Sequence, residues 1–118
     1  MTLEDERIRN AIIQISAKMV VLDPIQAFIG HNGNMTNAVK MRETLSKLSK
    51  VAEETNCAIV LVGHMTKNSG GKQIYRGLGS IDIAATVRSI LMVSRDKEEP
   101  WKRYMFPVKS SLAPEGEP

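Results

Sequence analysis

Two short, uninterrupted apolar runs do most to limit what this chain can fold into. Met19-Val20-Val21-Leu22 stops at Asp23-Pro24, and Ala58-Ile59-Val60-Leu61-Val62 stops at Gly63-His64. Runs this short and rich in β-branched residues, with no polar alternation, predict strands covered on both faces. Between them Ala38, Met41, Leu45, Leu48 and Ala52 recur at spacings of three and four, which predicts a helix over 35–55. Asn34 or Thr36 can cap it by accepting a hydrogen bond from an otherwise unpaired backbone N–H. Strand, long helix and strand make a parallel pair with a crossover connection, which is right-handed in nearly all folds. The expected fold class is therefore α/β with a mostly parallel sheet.

The remaining elements read more briefly. Ile8, Ile12 and Ile13, followed by Ile15 or Ser16, recur near helical spacing, and acids occupy the first turn, so 4–16 is an amphipathic helix. A polar loop runs from Gly63 to Gly79, followed by a helical piece over 80–86 and a third strand over 87–93. A charged turn, Arg95 to Lys102, leads to a fourth strand over 104–108. With 118 residues the chain suits one compact domain, and 110–118 has too little apolar content to be more than a flexible tail.

Composition closes off several classes. No apolar run approaches the roughly 18 residues of a membrane span, so no membrane association is expected. Residues 1–10 lack the apolar stretch of a secretory signal, which makes a cytoplasmic location the expectation. Cys57 is the single cysteine, so its role is packing rather than a disulfide or a cysteine-rich metal site. Charge is uneven: residues 1–62 hold seven basic and seven acidic side chains, whereas 63–109 hold nine and four. Such a basic stretch suits phosphates, and equally an ordinary solvated face.

The chemistry gathers where the two strands end. In open parallel sheets the C-terminal strand ends share one edge, and ligands bind in the crevice there. Asp23 can hold a hydrated Mg²⁺ at that edge, or simply begin a turn with Pro24. His64 can meet a ligand, or be a solvated loop residue. The loop 67–79 carries Lys67, Lys72 and Arg76 for phosphates, Tyr75 for stacking and four glycines for close backbone approach. It reads as a single-stranded DNA contact or as a surface loop without a partner. Gly70-Gly71-Lys72-Gln73 is not a phosphate-binding loop, which needs serine or threonine after its lysine and a helix behind it, and no dinucleotide fingerprint is present.

Three segments taken in order, Val20 to Phe28, Val60 to Lys67 and Tyr75 to Asp82, resemble RecA-type P-loop ATPases. The nearest likeness is the RepA-like and primase-associated helicase branch of plasmids and phages. The resemblance covers about Leu3 to Gly116 and implies the C-terminal part of a RecA-like three-layer core, a fragment of an ATP-dependent DNA helicase or related motor. It implies Asp23 as the Walker B residue holding Mg²⁺ beside ATP, His64 as the γ-phosphate sensor, and Gln26 alongside them. It places Lys67, Lys72, Tyr75 and Arg76 in a DNA-facing loop, with Arg88 or Lys109 as the cation offered to a neighbouring subunit of a homo-oligomeric ring, a hexamer in RecA-type enzymes. The family's Walker A loop and catalytic glutamate have no counterpart in this sequence. Hydrolysis by this chain alone and tight binding of ATP and Mg²⁺ are therefore not expected. Lacking the Walker A strand, the sheet would have a gap that repacking or self-association must close. The alternative is a freestanding nucleic-acid-binding or assembly module that uses no nucleotide.

Overall fold

A computed structural model describes residues 6–28, 38–64 and 81–110. Contacts divide the chain into two compact units, Met1–Thr86 and Val87–Pro118.

The first unit runs α1 (Glu6–Ile15), β1 (Met19–Leu22), a 3-10 turn (Ile25–Phe28), α2 (Ala38–Thr55), β2 (Ala58–Leu61) and α3 (Ile81–Thr86). Strands β1 and β2 pair in parallel, Met19 opposite Ala58 through Leu22 opposite Leu61. This is the strand, helix and parallel strand order expected from the two apolar runs, and it gives the α/β architecture of a partial RecA-like fold. Apolar periodicity decides which helical faces are buried. Ile8 and Ile12, one turn apart on α1, and Met41, Leu45 and Leu48 on α2 are buried together with Leu22, Ile25, Cys57, Ile83 and Ala84. Helices α1 and α3 both pack on α2, and Cys57 carries a free, buried thiol.

Both helices stop by the same device. Ser16 and Asn56 adopt the left-handed conformation, each with φ 53°. After α1, Ser16 N–H donates to Ile13 O and Ala17 N–H to Ile12 O. After α2, Asn56 N–H donates to Glu53 O and Cys57 N–H to Ala52 O. Each is a Schellman closure that satisfies carbonyls left over at the helix end. The turn then delivers the chain into its strand within three residues, and Ala58 N–H to Lys18 O at 2.9 Å extends the ladder one step before the strands begin.

Cover on both faces of these strands does not materialise. Met19, Val21 and Val60 are exposed while Leu22 is buried, so the pair alternates in burial. One face of the ribbon, with Val20, Leu22, Ile59 and Leu61, is the more buried, and the other, with Met19, Val21, Ala58 and Val60, is exposed.

The second unit departs from the expected order. Strands β3 (Ser89–Arg95) and β4 (Arg103–Ser110) pair antiparallel in a two-stranded sheet of their own, with a register shift between Ile90 and Leu91. Neither shares a ladder with β1 or β2, because a seven-residue turn lets β4 fold straight back on β3. Asp96 organises that turn. Its Oδ1 accepts the backbone N–H of Glu98 and of Glu99, each at 2.8 Å, and its Oδ2 accepts the Tyr104 hydroxyl at 2.9 Å. Lys102 closes the turn by donating its backbone N–H to Glu99 O and by pairing with the Glu99 carboxylate. The cap positions Asn34 and Thr36 lie outside the described residues, as does the expected tail 110–118 except for Ser110, which ends β4 opposite Ser89.

Two outcomes follow. Asn56→Val forces a β-branched residue into the left-handed region and lowers unfolding stability by about 1–2 kcal/mol, while Asn56→Gly does not; urea denaturation of the pair checks this. The Asp96 carboxyl is held below its ordinary value of 3.8, first by the Glu99 N–H and then by the Tyr104 hydroxyl and the Glu98 N–H. A carboxyl depressed in the folded chain favours folding above its unfolded pKa and loses that contribution as pH falls through the folded one. The Glu98 and Glu99 amide resonances therefore titrate with a midpoint below 3.8, and Tyr104→Phe moves the midpoint up.

Candidate functional site

The end of the parallel pair is built by backbone before any side chain enters. Val62 follows β2, and both of its hydrogen-bonding groups reach the strand opposite. Its N–H donates to Leu22 O at 3.0 Å, and its carbonyl accepts the N–H of Ile25 at 2.8 Å. Asp23 and Pro24, joined by a cis peptide bond, are the two residues between those anchor points. Leu22 and Ile25 on either side are buried, Ile25 completely. The chain at Asp23 is thus pinned before and after by one residue of the neighbouring strand.

Side chains follow from that frame. Asp23 sits one step beyond β1 and His64 three steps beyond β2, and His64 Nε2 comes to 3.4 Å from Asp23 Oδ1. Both are open to solvent, with side chains 56% and 69% exposed respectively. Gln26, in the first turn beyond Pro24, donates from Nε2 to the His64 carbonyl at 3.5 Å, a long contact that ties the two strand ends together again. The backbone ties are what sequence reasoning could not find, because a main-chain contact leaves no residue signature at Val62.

The candidate residues divide between the two units. Asp23, Gln26 and His64 come together in the first. Arg88 and Lys109 belong to the second, Arg88 exposed just before β3 and Lys109 in β4 opposite Ile90. Lys67, Lys72, Tyr75 and Arg76 lie outside the described residues.

The donor set favours one class of ion. Mg²⁺ takes oxygen ligands in octahedral geometry and keeps several waters, so a single exposed carboxylate fits it when phosphate and water complete the shell. A structural zinc or calcium cage would need more protein ligands, and among the described residues no three His, Cys, Asp or Glu side chains gather as one. An imidazole beside that carboxylate can donate a ring N–H to a phosphate oxygen.

Residues 1–70 match the family described as AAA domain. The matched stretch holds α1, β1, α2 and β2, and with them Asp23, Gln26 and His64. No curated protein matches the chain. No described helix is long and apolar enough to cross a membrane.

If Val62 pins the site, removing its Ile25 partner must disturb His64. Ile25→Pro loses both the N–H and side-chain volume, whereas Ile25→Ala loses volume alone. The proline variant is expected to be less stable than the alanine variant by about 0.5–1.5 kcal/mol, the net worth of a typical hydrogen bond. Only the proline variant should shift the His64 ring resonances.

Proposed function

This chain belongs to the AAA domain family, a P-loop ATPase family, and from that premise we propose that it serves an ATP-dependent DNA motor of RecA type, a helicase or a close relative. In this reading it supplies the Mg²⁺-holding acid and the phosphate sensor. One observation carries the proposal: a carboxylate and an imidazole 3.4 Å apart at the C-terminal ends of adjacent parallel strands, inside the matched stretch.

Asp23 would hold the metal, and Mg²⁺ there would neutralise charge on the nucleotide phosphates. In this reading His64 hydrogen-bonds the terminal phosphate and loses that bond when the phosphate leaves. The segment that begins directly after His64 then has two states, which links the nucleotide to the grip on DNA through Lys67, Lys72, Tyr75 and Arg76. Gln26 holds the His64 backbone in place. Arg88 or Lys109 acts on a neighbouring copy in a ring, as the finger that stabilises charge on the transferring phosphoryl group.

Phosphate binding in this family relies on backbone N–H groups and a lysine in a glycine-rich loop, and residues 1–118 contain no such pattern. The reading therefore assigns that loop to a different polypeptide segment. ATP hydrolysis is expected to be absent from the 118-residue chain, to appear when a segment carrying the loop is joined to it, and to vanish on Asp23→Ala. DNA binding by the chain alone should be weak and should fall when Lys72→Ala and Arg76→Ala are combined. Tight, salt-sensitive binding to single-stranded DNA that ignores Mg-ATP would instead favour a freestanding nucleic-acid module.

A further inference from the structure

The turn joining β3 and β4 holds an exposed indole in a fixed frame. Trp101, the only tryptophan of the chain, is 74% exposed. A large apolar ring left in water on a mobile loop would be unremarkable, but this loop is tied down by three hydrogen bonds to Asp96 and by the closure of Lys102 on Glu99. The order costs conformational entropy, and what it achieves is to hold the ring of Trp101 outward.

The charges around the ring point to an anion. Arg95 and Arg103 lie directly opposite each other in the β3–β4 register. Like charges facing across a strand pair repel, and an anion between them removes the penalty. Arg103 donates to the Pro100 and Lys102 carbonyls, which holds its guanidinium against the turn, and Lys97, in the same turn, is exposed. Among the acids, Asp96 accepts from three neutral donors, Glu99 pairs with Lys102 and Glu98 is exposed; over 95–103 the cations Arg95, Lys97, Lys102 and Arg103 outnumber these three acids. An exposed aromatic ring in a turn whose strand ends carry cations suits a single strand, with a base on the ring and phosphates on the cations.

We propose that the β3–β4 turn is a contact for single-stranded nucleic acid, a base stacking on Trp101 and phosphates meeting Arg95, Lys97 and Arg103. It adds a second point of grip to the DNA-dependent reading above, on residues that reading does not use.

The single tryptophan makes the test direct. Oligo(dT) and oligo(U) are titrated into the whole chain while Trp101 emission is followed, the two arms separating DNA from RNA. Saturable quenching is expected, and with three phosphates neutralised the affinity should fall on the order of tenfold between about 50 and 200 mM salt. Trp101→Ala, read with a labelled oligonucleotide, should weaken binding on the order of tenfold. The charge-reversal pair Arg95→Glu and Lys97→Glu, which keeps the indole, should reduce quenching at a given oligonucleotide concentration. Binding that leaves Trp101 emission unchanged overturns the proposal. So does an emission change that depends on protein concentration and not on oligonucleotide, which would assign the ring to contact with a second copy. Loss of binding in Lys72→Ala/Arg76→Ala with no effect of Trp101→Ala sinks this inference and leaves the motor reading standing. Quenching indifferent to Mg-ATP, in a chain that gains no hydrolysis with the loop-bearing segment, does the reverse.

Discussion

The candidate site depends on Val62, a residue that takes no part in its chemistry. Its N–H and carbonyl bond the chain on either side of Asp23, through Leu22 O and Ile25 N–H. Both neighbours are buried, so water does not compete well for those bonds and leaving either group unpaired is costly. An exposed aspartate at the end of a four-residue strand would ordinarily fray. Here its backbone is clamped while its carboxylate stays wet, and that combination suits a group that must hold a hydrated ion at a fixed place. Gln26 adds a weaker, side-chain version of the same tie by reaching the His64 carbonyl.

At the other end of the ribbon, register comes from the way the helices stop. Ser16 and Asn56 turn the chain with matching hydrogen bonds, and the strands start two or three residues later. Because the side-chain period of a strand is two residues, a slip of one would put Leu22 in water and Val21 inside. Asp23 would then point to the other face. The terminating turns therefore decide which strand residue comes last at the edge where Asp23 and His64 meet.

Much of this was legible from local pattern. The apolar runs mark β1 and β2, the three-and-four spacing marks α2, and the abrupt stops at Asp23 and Gly63-His64 mark the edge where the two side chains meet. These signals are local in sequence or follow from the parallel crossover alone. What stayed hidden depends on partners far apart. Cover on one face only, for Met19 and Val21, is decided by how many helical layers exist, which a run of valines does not report. The antiparallel pairing of β3 with β4 is not marked by their apolar residues, which suit either direction of pairing; its signal lies in the turn between them. Asp96 ahead of two acids and Pro100 carries an Asx-turn signal, and that signal would have located the hairpin and its exposed Trp101.

The central claim is that Asp23 and His64 form one ion-and-phosphate site, and manganese tests it most directly. Mn²⁺ substitutes for Mg²⁺ at oxygen sites and broadens the resonances of nearby nuclei. Titrated with ATP into the isotopically labelled chain, it is expected to broaden the signals of Asp23 and His64 first and to spare them in Asp23→Asn. Broadening centred elsewhere, at Glu98 and Glu99 for example, or left unchanged by that substitution, would contradict the account.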